Sequence, residues 1–213
     1  MDLFYIQLNT GEIFNGNNYS IILSNSYSSF LTKGLFLINS CKKNVIIKNL
    51  SINIDRKFIH NLGILYPITD FESYGGSAFV SYDQSNFVLF NCKNYLSFNK
   101  FTNLSGGLCG SHCSNFDILF CENHGDFNNS NVGGICGGYC KNFSIKKCVN
   151  YGIITSNITD LGNENANNTG TNTNGKILKG SAGIVGLGSN DFYVFSCTNT
   201  GKFNVSSFRY NTI

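Results

Sequence analysis

The sequence predicts an all-β protein, a parallel β-helix (β-solenoid) of roughly seven coils with essentially no α-helix. Three observations carry that expectation. First, a phrase recurs in register: SGGLCGSHCSNFDILFCENHG at Ser105–Gly125, VGGICGGYCKNFSIKKCVNYG at Val132–Gly152 and AGIVGLGSNDFYVFSCTNTG at Ala182–Gly201, with a worn copy at Tyr74–Leu96. Gly107 to Cys121, Gly134 to Cys148 and Gly183 to Cys197 each span 14 residues, while Gly76 to Cys92 in the worn copy spans 16. An Asn stands two residues after every one of these Cys. Second, the apolar residues suit a pleated, half-buried surface: 19 Phe, 11 Tyr and many Ile and Val, against one Met and no Trp. Third, 23 Gly and a single Pro assign the turns to Gly and Asn, and no Ala, Leu, Glu and Lys stretch runs at helical spacing.

Residues 2–23 read as two or three short strands separated by Asn-Thr-Gly and Asn-Gly-Asn-Asn turns. A Ser-rich connection (Ser24–Ser29) leads to the apolar run Gly34–Ile38. In Asn44–Ile54, the residues Val45, Ile47, Leu50, Ile52 and Ile54 alternate inward with one offset at Asn49. Such an offset is what a bend between two strands of one coil produces. Residues 55–73 are a less regular excursion around Pro67. The chain thus reads as a single domain, 1–213, with irregular coils over 1–73 and four repeats over 74–208. Gly107 and Gly134 lie 27 residues apart but Gly134 and Gly183 lie 49 apart, so 22 residues enter between two coils. The polar stretch at 156–179 supplies them, as a loop on one face of the stack. It is either a recognition loop or a neutral surface expansion. A 27-residue period fits one coil, and seven coils stacked at ~4.8 Å give a rod roughly 30–35 Å long. A propeller blade needs about 40 residues and four strands.

The lead-in Phe14–Leu23, then Gly34-Leu35-Phe36 and Ile47–Ile52, followed by GGLCG, GGICG and AGIVG each with C-x-N-x-G, resembles GLUG-type right-handed β-helix repeats. Such repeats occur in bacterial surface adhesins and in large DNA viruses of protists. The bias to Asn, Lys, Ile, Phe and Tyr is that of an AT-rich genome, and the N-terminus lacks a secretory signal pattern. The viral setting is therefore the better match. The resemblance implies a non-enzymatic structural or surface protein of a large DNA virus particle, capsid-associated or an attachment fibre, made in the host cytoplasm and located in the virion. The alternative is a carbohydrate-binding or carbohydrate-cleaving β-helix used in host attachment. A host-directed interaction module outside the particle is a third reading.

Cys92, Cys121, Cys148 and Cys197 share one repeat position and are expected to stack as a ladder, with Asn94, Asn123, Asn150 and Asn199 beside them. Small buried thiols of this kind are inert packing. Their Cα spacing of ~4.8 Å also admits a disulfide, which a cytosolic protein keeps reduced. Cys109, Cys113, Cys136 and Cys140 form a second set, two per coil at C-x₃-C spacing in neighbouring coils, with His112 beside them. Four thiols on one patch make these zinc candidates, with cross-coil disulfides and plain packing as the alternatives. On an extended strand, C-x₃-C separates the side chains by about 13 Å, too far for one ion unless Gly110 or Gly137-Gly138 turns the chain. Cys41 is left unpaired.

No catalytic or cofactor-binding residue is assigned. Carbohydrate cleavage needs two or three clustered acids; Asp117, Glu122 and Asp126 fall in one coil, but Ser144, Val149 and Ile153 stand at the matching places of the next. His112 and His124 lack a nucleophile arrangement and read as surface residues. A net charge of +3 with scattered Lys gives no phosphate-tracking stripe, so nucleic acid is not expected. No stretch reaches the ~18–20 apolar residues of a membrane span. Uncapped coil ends invite other virion subunits or a second copy, and a host surface glycan is the remaining partner class.

Overall fold

The computed structural model describes residues 6–23, 34–40, 44–54, 76–97, 104–128, 132–158 and 181–207. Within them every regular element is a strand and every pairing is parallel. The strands fall into six successive layers. Layer one holds β1 (Ile6–Asn9) and β2 (Ile13–Leu23); layer two holds β3 (Phe36–Asn39) and β4 (Val45–Ile54). Layer three holds β5 (Ser85–Asn94). Layer four comprises β6 (Ser114–Leu119), β7 (Glu122–Asn123) and β8 (Phe127–Asn128). Layer five repeats the trio as β9 (Lys141–Lys146), β10 (Val149–Asn150) and β11 (Ile154–Ile158), and layer six as β12 (Asn190–Phe195), β13 (Thr198–Asn199) and β14 (Phe203–Ser207).

Each strand pairs with its counterpart in the adjoining layers. The main sheet runs β2-β4-β5-β6-β9-β12, with β5-β7-β10-β13 as its second arm and β8-β11-β14 as a separate sheet. Single bridges Phe36–Val80–Cys109–Cys136–Val185 extend the β1-β3 pairing down the stack. Layers two to six bend at one shared register position with a left-handed residue: Asn49 (φ 53°), Asn91 (φ 51°), Phe120 (φ 54°), Lys147 (φ 53°) and Ser196 (φ 54°). In the upper layers Asn suits that conformation and adds amide hydrogen bonds, Asn49 Nδ2 to Asn15 Oδ1 at 3.1 Å and Asn91 Nδ2 to Asn49 Oδ1 at 2.9 Å. Lower down, Lys147 places its ammonium 5.2 Å from the Phe120 ring centroid.

Inward positions stack in files. Phe87, Phe116, Phe143 and Phe192 form a ring stack with centroid spacings of 4.8, 4.7 and 5.2 Å, the pitch of the strands themselves. Leu89, Ile118 and Ile145 are fully buried in the adjacent file. Layer-on-layer burial of this kind makes each layer depend on its two neighbours.

Two expectations are revised. The Asn-Gly-Asn-Asn stretch does not separate strands; Asn17 and Asn18 (φ 50° and 63°) make an irregularity inside β2, where the register shifts between Asn15 and Tyr19. The insertion begins later than residue 156, because β11 pairs with β14 as far as Ile158. The described residues contain six layers against the seven coils expected. The excursion at 55–73, Cys41 and the remainder of the insertion lie outside the described residues. Among those described, no helix is long and apolar enough to cross a membrane.

Candidate functional site

Two columns of repeated side chains run down the interior. Asn94 donates from Nδ2 to Asn123 Oδ1 at 2.7 Å, Asn123 to Asn150 at 2.7 Å and Asn150 to Asn199 at 2.6 Å. The same Nδ2 groups donate to the carbonyls of Leu96, Gly125, Gly152 and Gly201 at 3.0–3.1 Å. Asn94, Asn123 and Asn150 have no exposed surface, so these bonds satisfy amides that water cannot reach. Glycine is needed alongside: a Cβ at Gly134 would collide with the Gly183 carbonyl and the Asn150 amide. In the second column, the backbone N–H groups of Cys92, Cys121 and Cys148 donate to the sulfurs of Cys121, Cys148 and Cys197 at 3.3–3.4 Å. All four thiols are free.

The second cysteine set converges. The sulfurs of Cys109, Cys136 and Cys140 all lie within 4.8 Å of one another, and Cys113 packs against Cys109 and Cys140. The turn the spacing required is made at His112 (φ 58°) and Tyr139 (φ 55°), not at glycine. Their rings stack outside the turn at 5.4 Å. The four thiols are fully buried, and burial pushes Cys109, Cys113 and Cys136 well above the ordinary thiol value. Cys140 is the one pulled down, by hydrogen bonds from the Cys109, Cys113 and Cys136 thiols, against its own burial. The sulfurs also lie within reach of carbonyl oxygens: Cys113 Sγ 3.2 Å from Ser81, Cys140 and Cys109 3.4 Å from Gly110, and Cys136 3.5 Å from Gly137. Among the described residues this is the one group of three or more metal-ligating side chains close enough to share an ion.

On the outer face Asp117, Glu122 and Asp126 are each engaged by a different partner. Asp117 lies opposite Ser144, whose hydroxyl donates to its carboxylate. Asp126 accepts from the Ile153 amide at 2.7 Å. Glu122 lies 3.0 Å from Lys93 Nζ and 2.7 Å from His124 Nε2. Partial burial opposes its ionisation, but the hydrogen bonds from His124 and Lys93 prevail and hold the carboxyl below its ordinary value. His124 itself is sandwiched between Tyr95 and Tyr151, each 4.6 Å away. That file follows from residue spacing, since Tyr95, His124 and Tyr151 each immediately follow a column Asn. A shallow surface lined by Asn115, Asp117, Asn142, Ser144 and Lys146 lies on the other arm of the sheet, on β6 and β9.

Comparison of the chain with family models, with curated proteins and with solved structures gives no match. The likeness to GLUG repeats therefore rests on the motifs themselves.

Proposed function

We propose that this chain is a non-enzymatic structural building block: a right-handed β-helix that assembles end to end with further copies of itself. One observation carries the reading. Positions that are buried in layer five are open in layer six: Phe143 is 5% exposed and Phe192 46%, Ile145 0% and Val194 37%, Ile154 0% and Phe203 44%. Tyr193 and Phe195 add exposed rings to the same strand. An apolar strand edge of this kind is a template for another strand. The occupant favoured is layer one of a second copy, where Ile13 and Tyr19 are themselves exposed and β2, among the described strands, pairs only with β4. Head-to-tail contact of this sort propagates into a rod or fibre.

Asp117 is engaged by the Ser144 hydroxyl and not by a second described carboxylate, which favours a non-enzymatic role, and the GLUG-like motifs favour the surface of a large DNA virus particle as the setting. That second step is analogy of fold and motif, and detection in purified particles tests it. Assembly is tested by sedimentation velocity over a concentration series. The expected result is a mass that grows with concentration, and a Val194→Lys variant that stays monomeric. Wild-type chain that remains a monomer at the highest concentration contradicts the proposal.

A further inference from the structure

We infer that Cys109, Cys113, Cys136 and Cys140 form a closed tetrathiolate site for one zinc ion, bridging layers four and five. Zinc bound at ~2.3 Å by four sulfurs sets them about 3.8 Å apart, the edge of the tetrahedron. The sulfurs of Cys109, Cys136 and Cys140 already lie within 4.8 Å of one another, so tetrahedral spacing needs each of these three to move by about half an ångström, and Cys113, which contacts Cys109 and Cys140, swings in as the fourth ligand. The donors are thiols alone and have no exposed surface, which matches a structural site with no open coordination position.

The distribution of cysteine down the stack separates this site from packing. The bridge that contains Cys109 and Cys136 continues to Val80 in layer three and Val185 in layer six. Valine fills the same place there, so packing alone does not call for sulfur. The other corner behaves likewise. Ser85 pairs with Ser114 and Asn190 with Lys141, so Gln84 and Ser189 stand where Cys113 and Cys140 stand in layers four and five. Cysteine thus occupies both corners in two adjacent layers and neither corner in the flanking ones. The column of Cys92, Cys121, Cys148 and Cys197 is different: one thiol per layer in single file cannot surround a point.

Ser111, on the turn between Cys109 and Cys113, has a buried hydroxyl without a hydrogen-bond partner. Loading converts four thiols to thiolates, so one Zn²⁺ enters and up to four protons leave. Because the sulfurs are closed to solvent, the ion enters while the chain folds, and the folded protein resists chelators.

The test uses the full chain, unfolded under reducing conditions and refolded with one equivalent of Co²⁺ as the spectroscopic probe, then with Zn²⁺. The expected result is the intense visible absorption of a tetrahedral tetrathiolate cobalt centre, saturating at one ion per chain and displaced by zinc. Cys136→Ser abolishes or strongly weakens that absorption, whereas Cys121→Ser, equally buried but in the column, leaves the stoichiometry at one. Refolded wild-type protein without the absorption overturns the inference, whether its thiols are then found free or joined in disulfides. Equal loss of cobalt in Cys121→Ser and Cys136→Ser also overturns it, because that result marks folding and not ligation.

Discussion

Layers five and six are written in the same phrase and live in different environments. Both carry a Gly at the corner, Phe and a branched aliphatic residue on the inward face, then Cys and Asn at fixed offsets. In layer five these side chains are covered from above by layer four and from below by layer six; in layer six no further layer among the described residues covers them from below, and Phe192, Val194 and Phe203 are left exposed. The contrast teaches that a repeat does not carry its own core. Stability belongs to the contact between layers, and a layer at the end holds the apolar surface that another layer would bury.

The largest expected break in the comparison is at the inward aliphatic file. Ile145→Ala removes a fully buried side chain and is expected to cost about 3–4 kcal/mol. Val194→Ala, at the same register in layer six, is expected to cost less than about 1 kcal/mol in dilute protein. Urea unfolding midpoints measure both. The Asn column sharpens the same point. Asn150→Ala removes the partners of the Asn123 amide, the Asn199 carbonyl oxygen and the Gly152 carbonyl, with an expected loss of about 2–3 kcal/mol, while Asn199→Ala removes those of the Asn150 amide and the Gly201 carbonyl at a half-buried position and costs about 1 kcal/mol. Next comes glycine. An alanine at Gly134 meets the Gly183 backbone and the buried Asn150 and is expected to cost about 2 kcal/mol, whereas at Gly183 the nearest atoms belong to the half-buried Asn199 side chain and the expected cost is smaller.

The smallest effect concerns a cross-layer ion pair. Lys93 of layer three meets Glu122 of layer four, but Val149 meets Thr198 between layers five and six. The Glu122 carboxyl sits below its ordinary value, so its contribution is present above that value and lost as pH falls through the folded one. The Glu122 hydrogen bond raises Lys93, whose contribution is lost only as pH rises through its own folded value. Glu122→Gln is therefore expected to cost about 0.5 kcal/mol near neutral pH and nothing in acid, with solvent screening already allowed for.

The spacing of 14 residues from Gly to Cys made both columns legible, because a fixed offset in a stacked coil puts the same side chain in the same file. The offset at Asn49 likewise marked the bend of β4. The convergence of Cys109, Cys113, Cys136 and Cys140 was only half legible. Its turns lie at His112 and Tyr139, which announce left-handed backbone less plainly than Gly or Asn, and whose rings stack on each other. The lower bends at Phe120 and Lys147 escaped notice for the same reason: Asn signals that conformation in layers two and three, and its register partners below do not. Exposure of layer six could not be read from composition at all, since its residues are those of a buried layer.

Hydrogen exchange followed by mass spectrometry, over a range of protein concentrations, tests the layered account most directly. The account predicts slow exchange in 141–150 at every concentration. It predicts fast exchange in 190–199 in dilute protein, slowing as copies stack on the open layer. If 190–199 exchanges as slowly as 141–150 in the dilute monomer, layer six is already covered and the account is contradicted.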